Sequence, residues 1–427
     1  MWTKKSILLV GTAILLALTS ITLNSLQLLT TSCLILALLV VSIFSSRRVN
    51  ITARRQLSNE KIFEEGEIEI KLEVLNKGKK TGFLELRDTI PKQLMIKDGS
   101  NYNFINLQKN EKMLLKYNVK CPLTGLYSIG PISLRPQDVC SNFYRRIDID
   151  IKNPLSVYPR IEDLKGITFR SKSQKMYPGM MPIRAPGPGS EFFAIREYVP
   201  GDPFKDINWK AYGKTGQLLV NEHQREVVSD VTIILDARES SAVGIESKCP
   251  LKFGVRAAAS LSSFFLKRRD SVGLVVYNDS VKTIKPGSGE RTLYEILTAL
   301  AGAQPQGNLL LKGVLEIFLP YIPPRTPILL ISTLEGDPTI PEAISHIRAL
   351  GFDVTILSPS SVEFELSGRK EKAEQLGKKL EIDQTPYDIL KVERSVVISD
   401  VRGFGATVVD WKPNMSLMTA LVESAMR

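Results

Sequence analysis

Apolar residues along this chain fall into three successive regimes. From Ser6 to Leu23 and from Leu26 to Phe44 they run almost without a charge, and at about 1.5 Å per helical residue each run approaches the roughly 30 Å hydrocarbon thickness of a bilayer. From about Ile51 to Tyr158 the pattern shortens and alternates. Glu67-Ile68-Glu69-Ile70-Lys71-Leu72-Glu73-Val74 alternates strictly and stops at Asn76-Lys77-Gly78, as a strand with one wet face does. Phe83 to Leu86 and Leu114 to Val119 repeat the pattern, with turns at Thr124-Gly125 and Ile129-Gly130-Pro131. Short strands at this spacing predict an antiparallel β-sandwich. No cluster of His, Cys or paired carboxylates marks it for chemistry, which leaves an interaction module or a spacer.

The third regime consists of unbroken apolar runs. Val231 to Asp236, Val272 to Tyr277, Ile328 to Ile331 and Val354 to Leu357 read as strands of a parallel sheet covered on both faces. Between the first two, Leu251, Val255, Ala258, Leu261 and Phe265 recur at helical spacing within Leu251 to Arg269, and further helices are expected over Leu293 to Ala301, Leu309 to Tyr321 and Pro341 to Leu350. Strand and helix alternation of this kind predicts a doubly wound α/β domain. The expected chain is therefore multidomain: a two-helix transmembrane hairpin over 1–50, the β-sandwich over 51–158, a linker over 159–228 and the α/β domain over 229–427.

The linker contains the one stretch, Gly187 to Asn221, that fits neither period. It mixes Phe192, Phe193, Tyr198 and Trp209 with Glu191, Arg196, Glu197, Asp202, Lys205, Asp206 and Lys210. Pro200-Gly201-Asp202-Pro203 reads as a turn, because proline presets φ and glycine supplies the positive φ other residues resist. The aromatics give that turn an apolar support, and Arg196 and Lys210 are within reach of Glu191, Glu197 or Asp206. If Trp209 is buried in that support, its removal costs about 3 kcal/mol. A surface loop tied down by ion pairs is the plainer reading.

Charge and composition refine this picture. The net charge of +11 would suit a nucleic-acid partner, yet Lys4, Lys5, Arg47, Arg48, Arg54 and Arg55 flank the two apolar runs, where they would meet anionic lipid headgroups. No zinc-finger spacing, helix-turn-helix pattern or aromatic RNA-binding signature accompanies the charge. A cleaved signal peptide competes for the first run, since Lys4 and Lys5 precede it. A second run after only Asn24-Ser25 favours a hairpin instead, with both ends cytoplasmic by the positive-inside rule and the chain a multi-pass protein of the cell membrane. The four cysteines, Cys33, Cys121, Cys140 and Cys249, read as small buried hydrophobes in a reducing compartment, although Cys121 and Cys140 would be free to bridge if the topology were inverted. With only His223 and His346, there is little room for a Ser-His-Asp triad or a histidine zinc site.

The pattern Gly189-x-Glu191-Phe192-x-x-x-Arg196-Glu197-Tyr198-x-Pro200-Gly201-Asp202, followed by Ile207-x-Trp209-Lys210, resembles the signature of the domain-of-unknown-function 58 family. Its members resemble von Willebrand factor type A domains. The resemblance extends to the order of a membrane anchor, a β-rich segment, the motif and an α/β domain. It implies a docking role for Glu191, Phe192, Arg196, Glu197, Tyr198, Gly201, Asp202, Trp209 and Lys210, and as partner a MoxR-type AAA+ ATPase acting in assembly or maturation of other complexes.

The resemblance also implies a divalent metal, usually magnesium, at an Asp-x-Ser-x-Ser motif ending the first α/β strand, where open sheets bind ligands. Here the run is Asp236-Ala237-Arg238-Glu239-Ser240-Ser241. Asp236 and Ser240 match, but Arg238 replaces the first serine. A guanidinium does not ligate magnesium and brings a positive charge beside it; Arg238 either points to solvent or pairs with Asp236 and stands in for the cation. No threonine occurs near Gly307-Asn308-Leu309, and Ser332-Thr333-Leu334-Glu335 replaces the expected aspartate after the third strand. The expectation is thus a protein without a cofactor and without catalysis, a membrane-anchored adaptor. A hydrolase using Asp236, Glu191 or Asp202 as general base is the rival, weakened by the absence of G-x-S-x-G, P-loop, H-E-x-x-H and G-x-G-x-x-G patterns. A purely structural membrane-surface protein is the third reading.

Overall fold

The computed structural model describes residues 4–45, 49–136, 146–164, 183–186, 192–225, 230–245, 247–322, 326–375, 377 and 385–426. The chain divides into two compact units, Met1–Tyr158 and Pro159–Arg427.

The first unit opens with α1 (Lys4–Thr22) and α2 (Leu26–Ser45), joined at Asn24, whose φ is 48°. Helix α1 is long and apolar enough to cross a membrane; the apolar part of α2, Leu26–Ser42, is shorter. The buried positions of α1 are Ser6, Ala13 and Ser20, one every two turns, and the Ser32 hydroxyl donates to the Ala13 carbonyl at 2.8 Å. Leu8, Leu15, Leu18 and Ile21 point outward. Small and polar residues thus line the helix contact while the large apolar ones face away, the reverse of a water-soluble helix pair.

The β-rich part comprises β1 (Ile51–Leu57), β2 (Lys61–Phe63), β3 (Glu67–Asn76), β4 (Leu84–Asp88), β5 (Met95–Gly99), β6 (Tyr102–Ile105), β7 (Lys112–Lys120), β8 (Gly125–Ile129), β9 (Ile132–Pro136), β10 (Ile147–Ile149) and β11 (Asn153–Tyr158). They form three sheets, β1-β3-β7-β5, β10-β9-β4-β6 and β2-β11-β8, antiparallel except for β2 beside β11. In β3 the alternation read from sequence is realised: Ile68, Ile70, Leu72 and Val74 are buried. Leu72 and Val74 pack against Leu84, Leu86, Ile105, Ile132 and Leu134 of the second sheet. Arg54 and Arg55 lie in β1, and Arg55 is fully buried, so the expectation that Arg55 meets lipid headgroups is incorrect. Its guanidinium is held by Asp88 and by the carbonyls of Ile129 and Ile151.

The second unit begins with a small sheet of β12 (Ile183–Pro186), β13 (Phe192–Glu197) and β14 (Leu219–Arg225), ordered β12-β14-β13, with α3 (Trp209–Thr215) between the last two in sequence. A six-stranded sheet follows, ordered β17-β16-β15-β18-β19-β20, from β15 (Asp230–Asp236), β16 (Ser271–Tyr277), β17 (Val281–Gly287), β18 (Ile328–Ile331), β19 (Val354–Pro359) and β20 (Thr407–Trp411). All are parallel except β17, which returns antiparallel to β16. Helices α4 (Pro250–Lys267), α5 (Gly289–Ala301), α6 (Leu311–Phe318), α7 (Ile340–Ala349), α8 (Ser361–Gln375), α9 (Thr385–Gly403) and α10 (Leu417–Met426) accompany it. Ile234, Leu330 and Ile356 meet Val314, Leu315, Ile344 and Ile347 in one apolar cluster. Helix α4 comes close to the sheet because residue 254 is glycine: a Cβ there would lie 3.0 Å from Leu235 and 3.1 Å from Ile331.

Candidate functional site

Chain order reverses between β15 and β18: β16 lies on one side of β15 and the next parallel strand on the other. At such a switch point the loops leaving the carboxyl ends diverge and open the crevice in which α/β sheets bind ligands. Asp236 ends β15 and Ser332 follows β18, so the predicted Asp236 position falls at this point.

Arg238 closes it. The side chain is 1% exposed and folds back on Asp236, with Nε 3.0 Å from Oδ1 and Nη2 2.7 Å from Oδ2. This is the two-pronged geometry that makes arginine–carboxylate pairs strong. Its backbone N–H donates to Oδ1 at 3.1 Å, and the Ser332 hydroxyl donates to Oδ2 at 2.7 Å. On the far side Nη1 lies 3.7 Å from Asp337 Oδ2, and the guanidinium carbon sits 5.8 Å from the centre of the Tyr277 ring. Burial opposes the charge on Arg238, but hydrogen bonds and attraction from Asp236 prevail and hold its pKa above the ordinary arginine value. Burial also pushes the Tyr277 phenol upward. Asp337 in turn fixes the surrounding loops, accepting from the Leu311 N–H at the start of α6 and from both the N–H and hydroxyl of Thr339.

Asp337 is the residue the sequence reading missed. An aspartate does follow the third strand, displaced to the Glu335-Gly336-Asp337 turn where Gly336 has φ 69°. Arg394 was missed as well; from α9 it reaches the Thr333 and Ser358 carbonyls and Asp410. Its neighbour Glu335 is held above the usual carboxylate range by burial, opposed by Ser361 and Arg394. The oxygens available to a divalent ion do not fit one: both Asp236 oxygens are engaged by cationic or hydroxyl donors, and a guanidinium bridges the two carboxylates. Among the described residues, no group of three or more His, Cys, Asp or Glu is placed to hold a metal.

The signature stretch forms a hairpin that carries a helix. Arg196 and Val220 are opposite one another across β13 and β14, so Arg196 shares a face with Glu222 two residues on. Arg196 Nε meets Glu222 at 2.7 Å, while Nη1 and Nη2 clasp Asp202 at 2.7 and 2.6 Å. Asp202 also accepts from the Val199 N–H, and Gly201 supplies the turn's φ of 114°. The Arg196 bonds, followed by that of Val199, hold the Asp202 carboxyl below its ordinary range. The expected partners of Arg196 are therefore corrected: Asp202 and Glu222 replace Glu197 and Asp206, with the Glu197 carbonyl alone accepting from Nη1. Glu191 and the signature's opening glycine fall outside the described residues, as do the side chains of Phe192, Phe193 and His223, and Cys140.

Asn208 caps α3 by accepting from the Ala211 N–H and links to Asn221. Ile207 and Val220 take the buried positions behind the turn. Trp209 is corrected in consequence: it is 61% exposed, because α3 is too short to bury a face and has no buried residue. Phe204 is 72% exposed and stacks on Tyr198 with centroids 6.5 Å apart, and Trp209 meets Tyr212 edge-on at 6.3 Å. Lys210 is exposed on the same helix.

The fold defines an α/β unit with a mixed sheet whose switch point is filled by an internal ion pair. Residues 194–337, the hairpin through to Asp337, match the family described as protein of unknown function DUF58. No curated protein matches the chain. Among solved structures, it is similar to the CARDB domain of a Pyrococcus furiosus protein in complex with di-metal ions, at 16% identity over 26% of this chain and 93% of that one, with a TM-score of 0.19. It is also similar to a FixG-related protein from Vibrio parahaemolyticus, at 13% identity over 26% and 97%, TM-score 0.17. Proximal thread matrix protein 1 from the mussel byssus aligns at 14% identity over 31% and 37%, TM-score 0.26.

Proposed function

We propose that this chain is a non-catalytic, membrane-anchored adaptor whose von Willebrand A-like α/β unit docks a protein partner, a MoxR-type AAA+ ATPase being the partner the family resemblance implies. The observation that carries this reading is the set of exposed aromatics on the signature hairpin and its helix. Phe204, Trp209 and Tyr212 stand in solvent on a frame that Arg196, Asp202, Glu222 and Asn208 make rigid. Exposed aromatics on a fixed scaffold are what interface anchors look like before they are covered, since they bring large contact area with little side-chain entropy to lose. A non-catalytic role is supported by two of the three carboxylates nominated as general bases, Asp236 and Asp202, each of which is clasped by an arginine.

The anchoring rests on α1 and α2 forming a multi-pass hairpin. Its support is the small-residue contact between the helices and the basic residues Lys4, Lys5, Arg47, Arg48 and Arg54 at its outer ends, which favour cytoplasmic termini. An impermeant thiol reagent applied to intact cells should fail to label a cysteine introduced at Ser100, an exposed position of the first unit; labelling there would reverse the topology.

The docking reading is tested with full-length protein in detergent and a purified MoxR-type ATPase. Trp209→Ala and Phe204→Ala should each weaken binding about tenfold or more, as loss of an interface aromatic does. Trp209→Ala should shift unfolding by less than about 0.5 kcal/mol, because the ring is not core. Binding unchanged by both substitutions would remove the hairpin face as the docking surface.

A further inference from the structure

We propose that Arg238 is a resident cation occupying an oxygen-lined site that would accept a divalent ion if the guanidinium were absent, so that the loops on the carboxyl face of the sheet are held without metal. The guanidinium bridges two carboxylates as an ion would, with Nη2 2.7 Å from Asp236 and Nη1 3.7 Å from Asp337. Ser332 completes the ring from the same β18–α7 connection that carries Asp337. A fourth oxygen stands by: Ser240 Oγ is buried without a hydrogen-bond partner, and a Cβ on Gly336, next to Asp337, would lie 3.7 Å from the Ser240 Cβ.

Hard oxygen donors and two negative charges are what magnesium or manganese requires. The arginine supplies the opposite charge and fills the space between them. An incoming ion would have to displace a side chain that is 1% exposed and carries two hydrogen bonds to the carboxylate the ion needs. Take the guanidinium away and the pair Asp236 and Asp337 is left with no counter-charge, together with two hydroxyls and an opening of side-chain size.

The test uses the full-length chain in detergent, with thermal unfolding followed by intrinsic fluorescence, in which Trp411 at 2% exposure reports on this sheet, and manganese binding followed by electron paramagnetic resonance. Wild-type protein should show the same midpoint in EDTA and in magnesium and bind no manganese at this site. Arg238→Ser should bind manganese and gain about 3 °C or more when magnesium is tenfold above its dissociation constant, from mass action on the folded state. Arg238→Lys, which keeps a cation on a flexible stem, should remain indifferent to magnesium. Manganese bound by the wild type and lost in Asp236→Ala would overturn the proposal, as would an Arg238→Ser protein that folds and gains no affinity, or an Arg238→Lys protein that gains as much as the serine variant. Should Arg238→Ser fold only when magnesium is present, the proposal stands; should it fold in neither buffer, the wild-type titration and Arg238→Lys decide.

Discussion

Replacing Arg55 with methionine is expected to destabilise the β-rich unit by about 3–5 kcal/mol, the usual consequence of removing one partner from a buried ion pair. Neither side chain of the Arg55–Asp88 pair reaches solvent. Arg55 Nη1 alone donates to the Ile129 carbonyl at 2.8 Å, the Ile151 carbonyl at 2.9 Å and Asn153 Oδ1 at 3.1 Å, which ties β1 to the ends of β8 and β11. Asp88 receives Arg55 Nε at 3.0 Å and the Tyr117 hydroxyl at 2.7 Å. Without the guanidinium, a buried carboxylate keeps only the Tyr117 hydroxyl and no counter-charge, and two carbonyls lose a donor. Hydrogen exchange of β3 and β7 amides in the intact protein measures the loss without requiring the whole chain to unfold in one step. The double substitution Arg55→Met with Asp88→Leu should restore much of it, since a well-packed apolar pair avoids the desolvation that both charges suffer. Tyr117→Phe should cost less, about 1.5–3 kcal/mol, the range for one hydrogen bond to a charged group. A loss below about 1 kcal/mol for Arg55→Met would mean that water reaches the site.

Asp236→Ala should be comparably severe in the other unit, about 3–5 kcal/mol, because it strands the Arg238 guanidinium with Asp337 alone. The exchange signature separates it from the first prediction. Protection should fall in β15 and β18, whose ends the Asp236–Ser332 bond joins, and remain unchanged in β3 and β7. Asp236→Asn keeps the shape and one acceptor but removes the charge, so it should lie between the wild type and the alanine variant. Equal exchange in wild type and Asp236→Ala would show that the switch-point cluster does not hold the sheet ends together.

The elements most legible in the sequence were those whose burial is itself periodic. β15, β16, β18 and β19 are buried nearly throughout, and their unbroken apolar runs announce a covered parallel sheet. β3 alternates because one of its faces is wet. Edge strand β17 went unread, since its central residues are largely exposed and its sequence, Val-Lys-Thr-Ile-Lys-Pro-Gly, carries two lysines and a proline. Helix α8, rich in Glu and Lys, lacks a stripe that a 3.6-residue period would reveal, and β20 follows a long helical stretch with only a short apolar run of its own.

The candidate site was legible on the β15 side alone, at Asp236, Arg238 and Ser240. Carboxyl-end acids after a buried strand are local features, and so is the mismatch of Arg238 with a metal motif. Asp337 and Ser332 join Asp236 from about a hundred residues away in sequence, through the adjacency of β15 and β18, and no local period encodes that neighbour relation. Trp209 shows the same limit from the other side: its aromatic character suggested core, but a helix of two turns whose buried neighbours are Ile207 and Val220 leaves the ring in water.

The sequence by itself determined where the chain is apolar, where it alternates and where it turns, because these follow from side-chain period over a few residues. It therefore determined the order of a spanning-length apolar helix, a β-rich unit and an α/β unit. Only the tertiary structure decided which charges are buried and which are free. Arg54 and Arg55 are adjacent and chemically identical, yet one is exposed and the other is sealed against Asp88. A strand sends neighbouring side chains to opposite faces, and the cost of burying a charge is met or not met by partners that arrive from other strands.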